Sequence, residues 1–158
     1  MKSVKEKIFK RLRDDATIRS LLGLPAIVVP ATTGSANGQI VWNYLPQNPI
    51  YPCVVYKRIT TKNELRFKNM QTGISEMYFE LYILSDNPDP ALVDDLKDRI
   101  TILFQDTQEQ LSDSYMNYYL SEVIDDAGDI FQTDDKKYYT TMRLRFKLQK
   151  VCDIVNNQ

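Results

Sequence analysis

Residues 77–104 read MYFELYILSDNPDPALVDDLKDRITILF, and this stretch decides the fold class of the chain. In residues 77–83, apolar side chains alternate with Tyr78, Glu80 and Tyr82, which is the period-two pattern of a β-strand. Because the alternating tyrosines are themselves partly apolar, we expect both faces of this strand to be covered.

The second part of this stretch predicts a helix that lies on the sheet. Asp89 is suited to cap the helix, and Pro90 fits the first helical position, where its missing N–H group does no harm. The apolar residues that follow form one helical stripe opposite a charged face. The members of that stripe are Leu92, Leu96, Ile100, Leu103 and Phe104.

A further helical region is predicted at the beginning of the chain. Ser3 and Glu6 have the spacing of a capping box, and Val4, Ile8 and Leu12 then recur every four residues. Asp15 can cap a further helical turn, and Gly23 suits the left-handed position that ends it.

Several shorter segments complete the first half of the fold. Residues 24–38 are rich in proline, glycine and small polar residues, which indicates a long exposed loop, although Ile27-Val28-Val29 could add a short strand. Strands are predicted over residues 39–45 and 53–61, and the polar residues 61–75 are interpreted as a hairpin loop.

The last third of the chain predicts two more strands. Residues 115–125 and 137–150 have strand patterns, and the acidic turn at 125–129 lies between them, so they are interpreted as a hairpin. The whole chain is then one domain, 1–158, with an α+β fold: a mainly antiparallel sheet of about five strands and two packed helices, in the order α-β-β-β-α-β-β. Residues 151–158 are interpreted as a flexible C-terminal tail.

Composition argues against most catalytic chemistry. The chain has no histidine, which removes the commonest general base and metal ligand. Its two cysteines lack metal-ligand spacing, and its glycines lack the spacing of a phosphate-binding loop. A net charge of -1 provides no overall attraction to nucleic acid or to a membrane, and no apolar stretch is long enough to span one. We therefore expect no enzyme activity, no cofactor and no metal.

Three groups of side chains could still carry a function. Arg143, Arg145 and Lys147 share the polar face of the last strand, where they could guide DNA or, as we favour, face solvent or the carboxylates of a neighbouring subunit. The aspartates at 125–135 are better interpreted as a solvated turn than as a cation site, although around a channel they would repel DNA. The ten tyrosines fit protein interfaces and sheet packing about equally well.

Residues 45–56, LPQNPIYPCVVY, resemble a pattern of the tail-terminator or tail-completion proteins of long-tailed bacteriophages. In that pattern a Pro-Gln turn precedes a strand that opens with Tyr-Pro and ends in Val-Tyr. The order of predicted helices and strands agrees over nearly the whole chain. The long loop at 24–38 departs from the compact form of the family.

The resemblance implies a structural virion protein. A terminator subunit forms a hexameric ring, caps the tail tube, stops its polymerisation and joins the tail to the head connector. Its partners would be copies of itself, the tube protein and the connector, while genomic DNA passes through the ring without sequence-specific binding and no membrane is involved. Such a protein is found in the host cytoplasm during assembly and then at the tail-neck junction of the virion.

The contact residues are a separate prediction. An aromatic side chain between two cations at a loop tip is a plausible anchor, so Arg66, Phe67 and Lys68 are predicted to bind a partner, with the Arg143, Arg145 and Lys147 row as a second contact. The alternatives are another neck or head-completion adaptor protein and a small intracellular ligand-binding or regulatory domain, which would need a well-formed apolar pocket.

Overall fold

The computed structural model describes residues 3–27, 36, 38–65, 74–87, 89–126, 131–132 and 137–150. These residues form the helices and strands α1 (Val4–Asp14), α2 (Ala16–Leu21), β1 (Ile40–Trp42), β2 (Cys53–Leu65), β3 (Ile74–Ser85), α3 (Pro90–Phe104), α4 (Gln108–Leu111), β4 (Met116–Asp126), β5 (Phe131–Gln132) and β6 (Tyr138–Lys150). The predicted α+β fold is confirmed, with α1 and α3 as the two main helices.

The sheet has the strand order β1-β2-β3-β6-β4, and the two-residue strand β5 pairs with β6. The pairs β2–β3, β3–β6 and β4–β6 are antiparallel, whereas β1 runs parallel to β2. The predicted pairing of the last two long strands is therefore confirmed. Strand β6, although last in the chain, lies in the interior of the sheet between β3 and β4.

Some predicted boundaries move for local reasons. Strand β1 ends at Trp42, short of the predicted residue 45, because Asn43 adopts a positive φ of 68° that interrupts the extended backbone. Strands β2 and β3 pair as far as Leu65 and Ile74, so part of the predicted hairpin loop 61–75 is strand. Residues 66–73 lie outside the described part of the chain.

The predicted loop 24–38 is described only at its two ends. Leu24 and Ala36 are buried there and belong to the core cluster, so these two positions are not exposed as expected. Residues 28–35, which include part of the alternative short strand, lie outside the described residues. The predicted tail 151–158 lies outside them as well.

The predicted helix ends are confirmed. Ser3 and Glu6 form the reciprocal capping box, with N···O distances of 3.0 and 3.2 Å. The Asp15 carboxylate accepts a hydrogen bond from the backbone N–H of Ile18, and Gly23 has the expected positive φ of 69°. Before α3, Asp89 caps the helix and Pro90 occupies its first position. Each of these features depends only on residues a few positions apart.

The helices pack on one face of the sheet. The core there combines the apolar stripes of α1 and α3 with one side of the central strands, and its most deeply buried members include Ile8, Leu12, Leu96, Ile100, Phe79, Leu81, Leu144 and Phe146. Tyr78, Glu80 and Tyr82 lie on the other face and are only half-buried. Within the described residues, the second face of β3 is therefore covered only in part, and cover by another subunit stays a prediction. Charged and aromatic side chains occupy the second face themselves.

Gln39 connects three parts of the backbone from a buried position. Its side-chain Nε2 donates hydrogen bonds to the carbonyl oxygens of Leu22 and Pro52, at 2.7 and 3.0 Å. Its exposed fraction is 4%, so water cannot easily replace these bonds. The side chain therefore ties the end of α2 and the start of β2 to the strand β1 between them.

We expect Gln39→Ala to lower the free energy of unfolding by about 2 kcal/mol, because it leaves buried carbonyl groups without donors. Urea denaturation followed by circular dichroism measures this change. The matched control is Gln47→Ala, which removes an exposed glutamine from the same region and should have little effect. Equal stability of the two variants would contradict this role of Gln39.

Candidate functional site

The helix-free face of the sheet brings charged residues of four strands together. We call this set the charged face; its members are Lys57 on β2, Glu76 and Glu80 on β3, Glu122 on β4, and Arg143, Arg145 and Lys147 on β6. Antiparallel registers align these strands so that Arg143 lies opposite Glu80. Arg145 lies opposite Glu122 in the pairing with β4, and Lys147 lies opposite Glu76 in the pairing with β3.

Two groups of ion pairs cross the charged face. In the first, the Glu80 carboxylate lies 3.2 Å from the Lys57 ammonium and 3.5 Å from the Arg143 guanidinium. In the second, Arg145 lies 2.6 Å from Glu76 and 2.9 Å from Glu122. Each group connects three neighbouring strands: the first connects β2, β3 and β6, and the second connects β3, β6 and β4.

Tyrosine hydroxyls join these ion pairs. Tyr82 donates a hydrogen bond to Glu80 at 2.8 Å and accepts one from Lys57 at 3.1 Å. Tyr78 donates a hydrogen bond to Glu76, whose side chain is 5% exposed. The tyrosines of β3 thus contribute their hydroxyl groups to a polar network, while their rings partly cover the sheet.

The network favours the charged form of Glu80. Partial burial alone would raise the pKa of this carboxyl group, but hydrogen bonds from Tyr82 and Lys57 and the positive charges of Lys57 and Arg143 outweigh that effect. The pKa of Glu80 is therefore lowered from its ordinary value of 4.5. Its carboxylate remains a charged partner for both cations at neutral pH.

These pairs change the interpretation of the Arg143, Arg145 and Lys147 row. The sequence favoured solvent or a neighbouring subunit as its surroundings, whereas Arg143 and Arg145 meet carboxylates of their own chain. Because nearby carboxylates balance most of the positive charge, this face offers only weak attraction to a phosphate backbone. Binding of a partner protein by the row stays a prediction.

The other predicted contact groups are only partly described. Arg66, Phe67 and Lys68 lie outside the described residues, and so do most of the aspartates of the acidic turn. Among the described residues, no group of three or more histidine, cysteine, aspartate or glutamate side chains is placed to hold a metal ion. Within the same part of the chain, no helix is long and apolar enough to cross a membrane.

The tyrosines divide between the two roles that the sequence left open. Tyr56 and Tyr118 are buried in the core, where burial raises the pKa of Tyr56 to about 12. Tyr44, Tyr115 and Tyr119 are instead exposed by 80%, 44% and 49%. Some tyrosines therefore pack in the core, whereas others are exposed at the surface.

Sequence reasoning missed a set of exposed apolar side chains at the two edges of the sheet. At the β1 edge, the connection 43–52 exposes Tyr44, Leu45 and Ile50. At the other edge, β4 exposes Tyr119 and Ile124. The connection could have been noticed, because residues 39–56 carry no charge. The exposure of Tyr119 and Ile124 on β4 could not have been predicted, because it results from irregular strand pairing.

Both exposed apolar residues of β4 are extra residues in the strand ladder. The register between β4 and β6 shifts at Tyr119 and again at Ile124, as expected for β-bulges. Between the two bulges, the outer edge of β4 is occupied by the turn after α3: the Asp106 N–H donates to the Ser121 carbonyl oxygen, and Gln105 accepts from the Val123 N–H. This turn prevents another strand from pairing with the middle of β4.

A groove of about 490 Å³ lies between α1 and the α3–β4 connection, and charged residues line much of it. Two of its basic side chains make contacts within the chain. The Lys7 ammonium lies 2.5 Å from Asp113 and donates to the Leu111 carbonyl oxygen. Arg11 donates to the Leu103 carbonyl oxygen at 2.7 Å. The basic groups of this groove therefore hold α1 against the connection.

Comparison with known proteins identifies a shared fold. No family model matches the chain, and no curated protein matches it. Among solved structures, it is similar to a chain from the virion of the native gene transfer agent (GTA) particle, with a TM-score of 0.62 and 10% sequence identity. The alignment covers 93% of this chain and 95% of that chain. At this level of identity, the likeness shows that the two chains have the same fold over nearly their whole length.

The charged face makes a testable contribution to stability. We expect Arg145→Ala to lower the free energy of unfolding by about 2 kcal/mol, because it removes a guanidinium that lies 2.6 Å from the buried Glu76 carboxylate. Arg143→Ala is the matched control: its side chain is 47% exposed. Solvent screening limits such a loss to under about 1 kcal/mol. Guanidinium denaturation measures the free energy of unfolding of both variants. An equal or larger loss of stability in Arg143→Ala would contradict the role assigned to the Arg145–Glu76 pair.

Proposed function

We propose that this chain is a structural subunit of a phage-like particle, and that within the particle it acts as the tail terminator. The observation that carries this proposal is the match of fold over nearly the full length of both chains, one of which belongs to a GTA virion. The resemblance of residues 45–56 to tail-terminator proteins supports the finer assignment independently. The role is assembly by protein contacts, not catalysis.

The distribution of apolar side chains supports assembly into a ring. The connection 43–52 and strand β4 lie at opposite edges of the same sheet. Contact between two different surfaces of identical subunits is heterologous, and it generates a ring when the rotation from one subunit to the next closes. We propose that the exposed Ile50 region of one copy packs against the Ile124 region of the next copy, and that six copies close the ring.

The blocked edge of β4 argues against assembly by continued strand addition at that edge. Because the turn at Gln105 and Asp106 occupies the middle of this edge, neighbouring subunits must meet mainly through side chains. Side-chain packing has a defined geometry, whereas free strand edges invite continued strand addition.

We propose that one face of the ring binds the last ring of the tail tube, while the other face offers the tube protein no equivalent surface. Tube growth then stops by mismatch, and the free face meets the head connector. Arg66, Phe67 and Lys68 remain our choice for the tube contact, with the Arg143, Arg145 and Lys147 row as a second contact. DNA passes through the ring without sequence-specific binding. Assembly takes place in the host cytoplasm, and the mature location is the tail-neck junction.

Removing the gene for this chain from its phage-like element tests the proposed role. We expect tubes of variable and excessive length without attached heads, measured by negative-stain electron microscopy. Tubes of normal length that fail to join heads would instead assign the chain to a neck adaptor. Replacing Arg66, Phe67 and Lys68 with serine should reproduce the long tubes, whereas Glu109→Ser, on the exposed side of α4, should not.

The proposed subunit contact can be tested with paired cysteines in a Cys152→Ser background, where the remaining Cys53 is buried. We expect a mixture of Ile50→Cys and Ile124→Cys chains to form linked dimers with a bis-maleimide reagent. Each variant alone should not, because a heterologous contact brings unlike positions together. Gel electrophoresis under reducing conditions measures the product. Equal linkage in the single-variant samples would contradict the head-to-tail arrangement.

A further inference from the structure

The outer edge of β2 has a long stretch without a strand partner. Strand β2 pairs with β3 along its whole length, whereas β1 pairs only with residues 54–56. Strand β1 ends there because Asn43 adopts a positive φ. Among the described strands, none pairs with the side of β2 that faces away from β3 over residues 57–65. Such an edge offers N–H and C=O groups to another chain.

The strand register identifies the backbone groups that point outward along this edge. The Val54 N–H and the Tyr56 carbonyl group bond to the chain around β1, so they point away from β3. By the same alternation, the backbone groups of Arg58 point outward. The register with β3 then shifts at Ile59, as at a β-bulge, so Thr61 is the next residue with outward backbone groups.

The opposite edge of the sheet is protected by the chain itself. At the start of β4, the Asp113 N–H donates to the Met116 carbonyl oxygen, and the Tyr118 N–H donates to the Ser112 hydroxyl, both at 2.9 Å. The turn at residues 105–106 protects the middle of the strand. A second copy of the chain therefore has no free edge along these parts of β4 to offer to β2.

An apolar groove of about 320 Å³ adjoins the free edge of β2. Arg58 belongs to both the edge and the groove, and the groove is also lined by Trp42, which is the last residue of β1. Met77 and Phe79 form part of its floor. Alternate side chains of a strand point to the same face, so a strand added beside β2 places side chains over this groove. An apolar side chain there would be buried against Trp42.

Two cations border the groove without an ion-pair partner. Arg58 is exposed, and the Lys5 ammonium lies 4.7 Å from the centre of the Trp42 ring. Within the described part of the chain, neither has a carboxylate at ion-pair distance, whereas Lys57 meets Glu80. A carboxylate on the added strand would complement them. Pairing the β2 edges of two copies would instead bring like charges together, which is destabilising.

We propose that the outer edge of β2 binds an extended segment of a different protein, which adds to the sheet as a further strand. The segment is apolar where it lies over the groove and acidic beside Arg58 and Lys5. Main-chain hydrogen bonds at Arg58 and Thr61 hold it, while the groove and the two cations select its sequence. Because the edge and the groove belong to the folded chain, the inference does not depend on the proposed terminator role.

A synthetic peptide of about nine residues, in which valine alternates with threonine and glutamate, is a suitable probe. We expect saturable binding, measured by the fluorescence of Trp42, which is the only tryptophan in the chain. Hydrogen exchange followed by NMR should show rapid exchange of the Arg58 and Thr61 N–H groups in the free chain. The peptide should slow this exchange by about tenfold or more.

N-methylated peptides separate backbone pairing from side-chain contact. Methylation of alternate nitrogens blocks hydrogen bonding along one edge of the peptide and leaves its side chains unchanged. Of two peptides methylated on opposite edges, we expect one to lose about tenfold or more in affinity and the other to bind like the unmodified peptide.

A charge reversal in the full-length chain tests the acidic preference. Arg58→Glu should weaken peptide binding by about tenfold, because it replaces attraction with repulsion. The matched control is Lys10→Glu, which makes the same change of charge at an exposed position of α1 and should have little effect. Circular dichroism checks that both variants keep the fold.

Absence of saturable binding, or equal affinity of the two methylated peptides, would overturn the proposal. Slow exchange of the Arg58 and Thr61 N–H groups in the chain alone would overturn it too. Slow exchange at every protein concentration would show that the chain covers its own edge, and exchange that slows as concentration rises would identify a second copy as the occupant.

Discussion

The alternation of side chains along β6 is the constraint on which the rest of the structure depends. This strand pairs with β3 on one side and with β4 on the other. Its even-numbered residues from Thr140 to Leu148 enter the core, while Arg143 and Arg145 enter the ion pairs of the opposite face. A slip of one residue would move both sets to the wrong face. The position of β6 therefore fixes the register of three neighbouring strands, β3, β6 and β4.

The charged face makes that register more specific than apolar burial alone. Glu80 can meet Lys57 and Arg143 together only when β2, β3 and β6 are correctly aligned, and Arg145 requires the same of β3, β6 and β4. Exposed ion pairs contribute little to stability one at a time. The pair between Arg145 and the buried Glu76 matters more, because a misaligned register would separate a buried charge from this cation.

Features set by neighbouring residues could be predicted, and features set by distant residues could not. The capping box at Ser3, the cap at Asp89 and the alternation of β3 each follow from a few adjacent positions, and the structure agrees with them. The place of β6 between β3 and β4 depends on pairings across the whole chain. The partners of Arg145 follow from that placement, so the sequence suggested a charged row without identifying Glu76 and Glu122 as its counterparts.

The bulges set a further limit on sequence reasoning, and they also bear on function. One extra residue changes which side chains reach a given face, so alternation no longer predicts burial beyond it. At Ile59, Tyr119 and Ile124 the ladder shifts by one residue, and each of these large apolar side chains is more than 40% exposed. Such side chains add little to the core of the isolated chain. Their positions where strand pairing is interrupted, together with the uncharged connection 43–52 at the opposite edge, are the observations on which the proposed subunit contact rests.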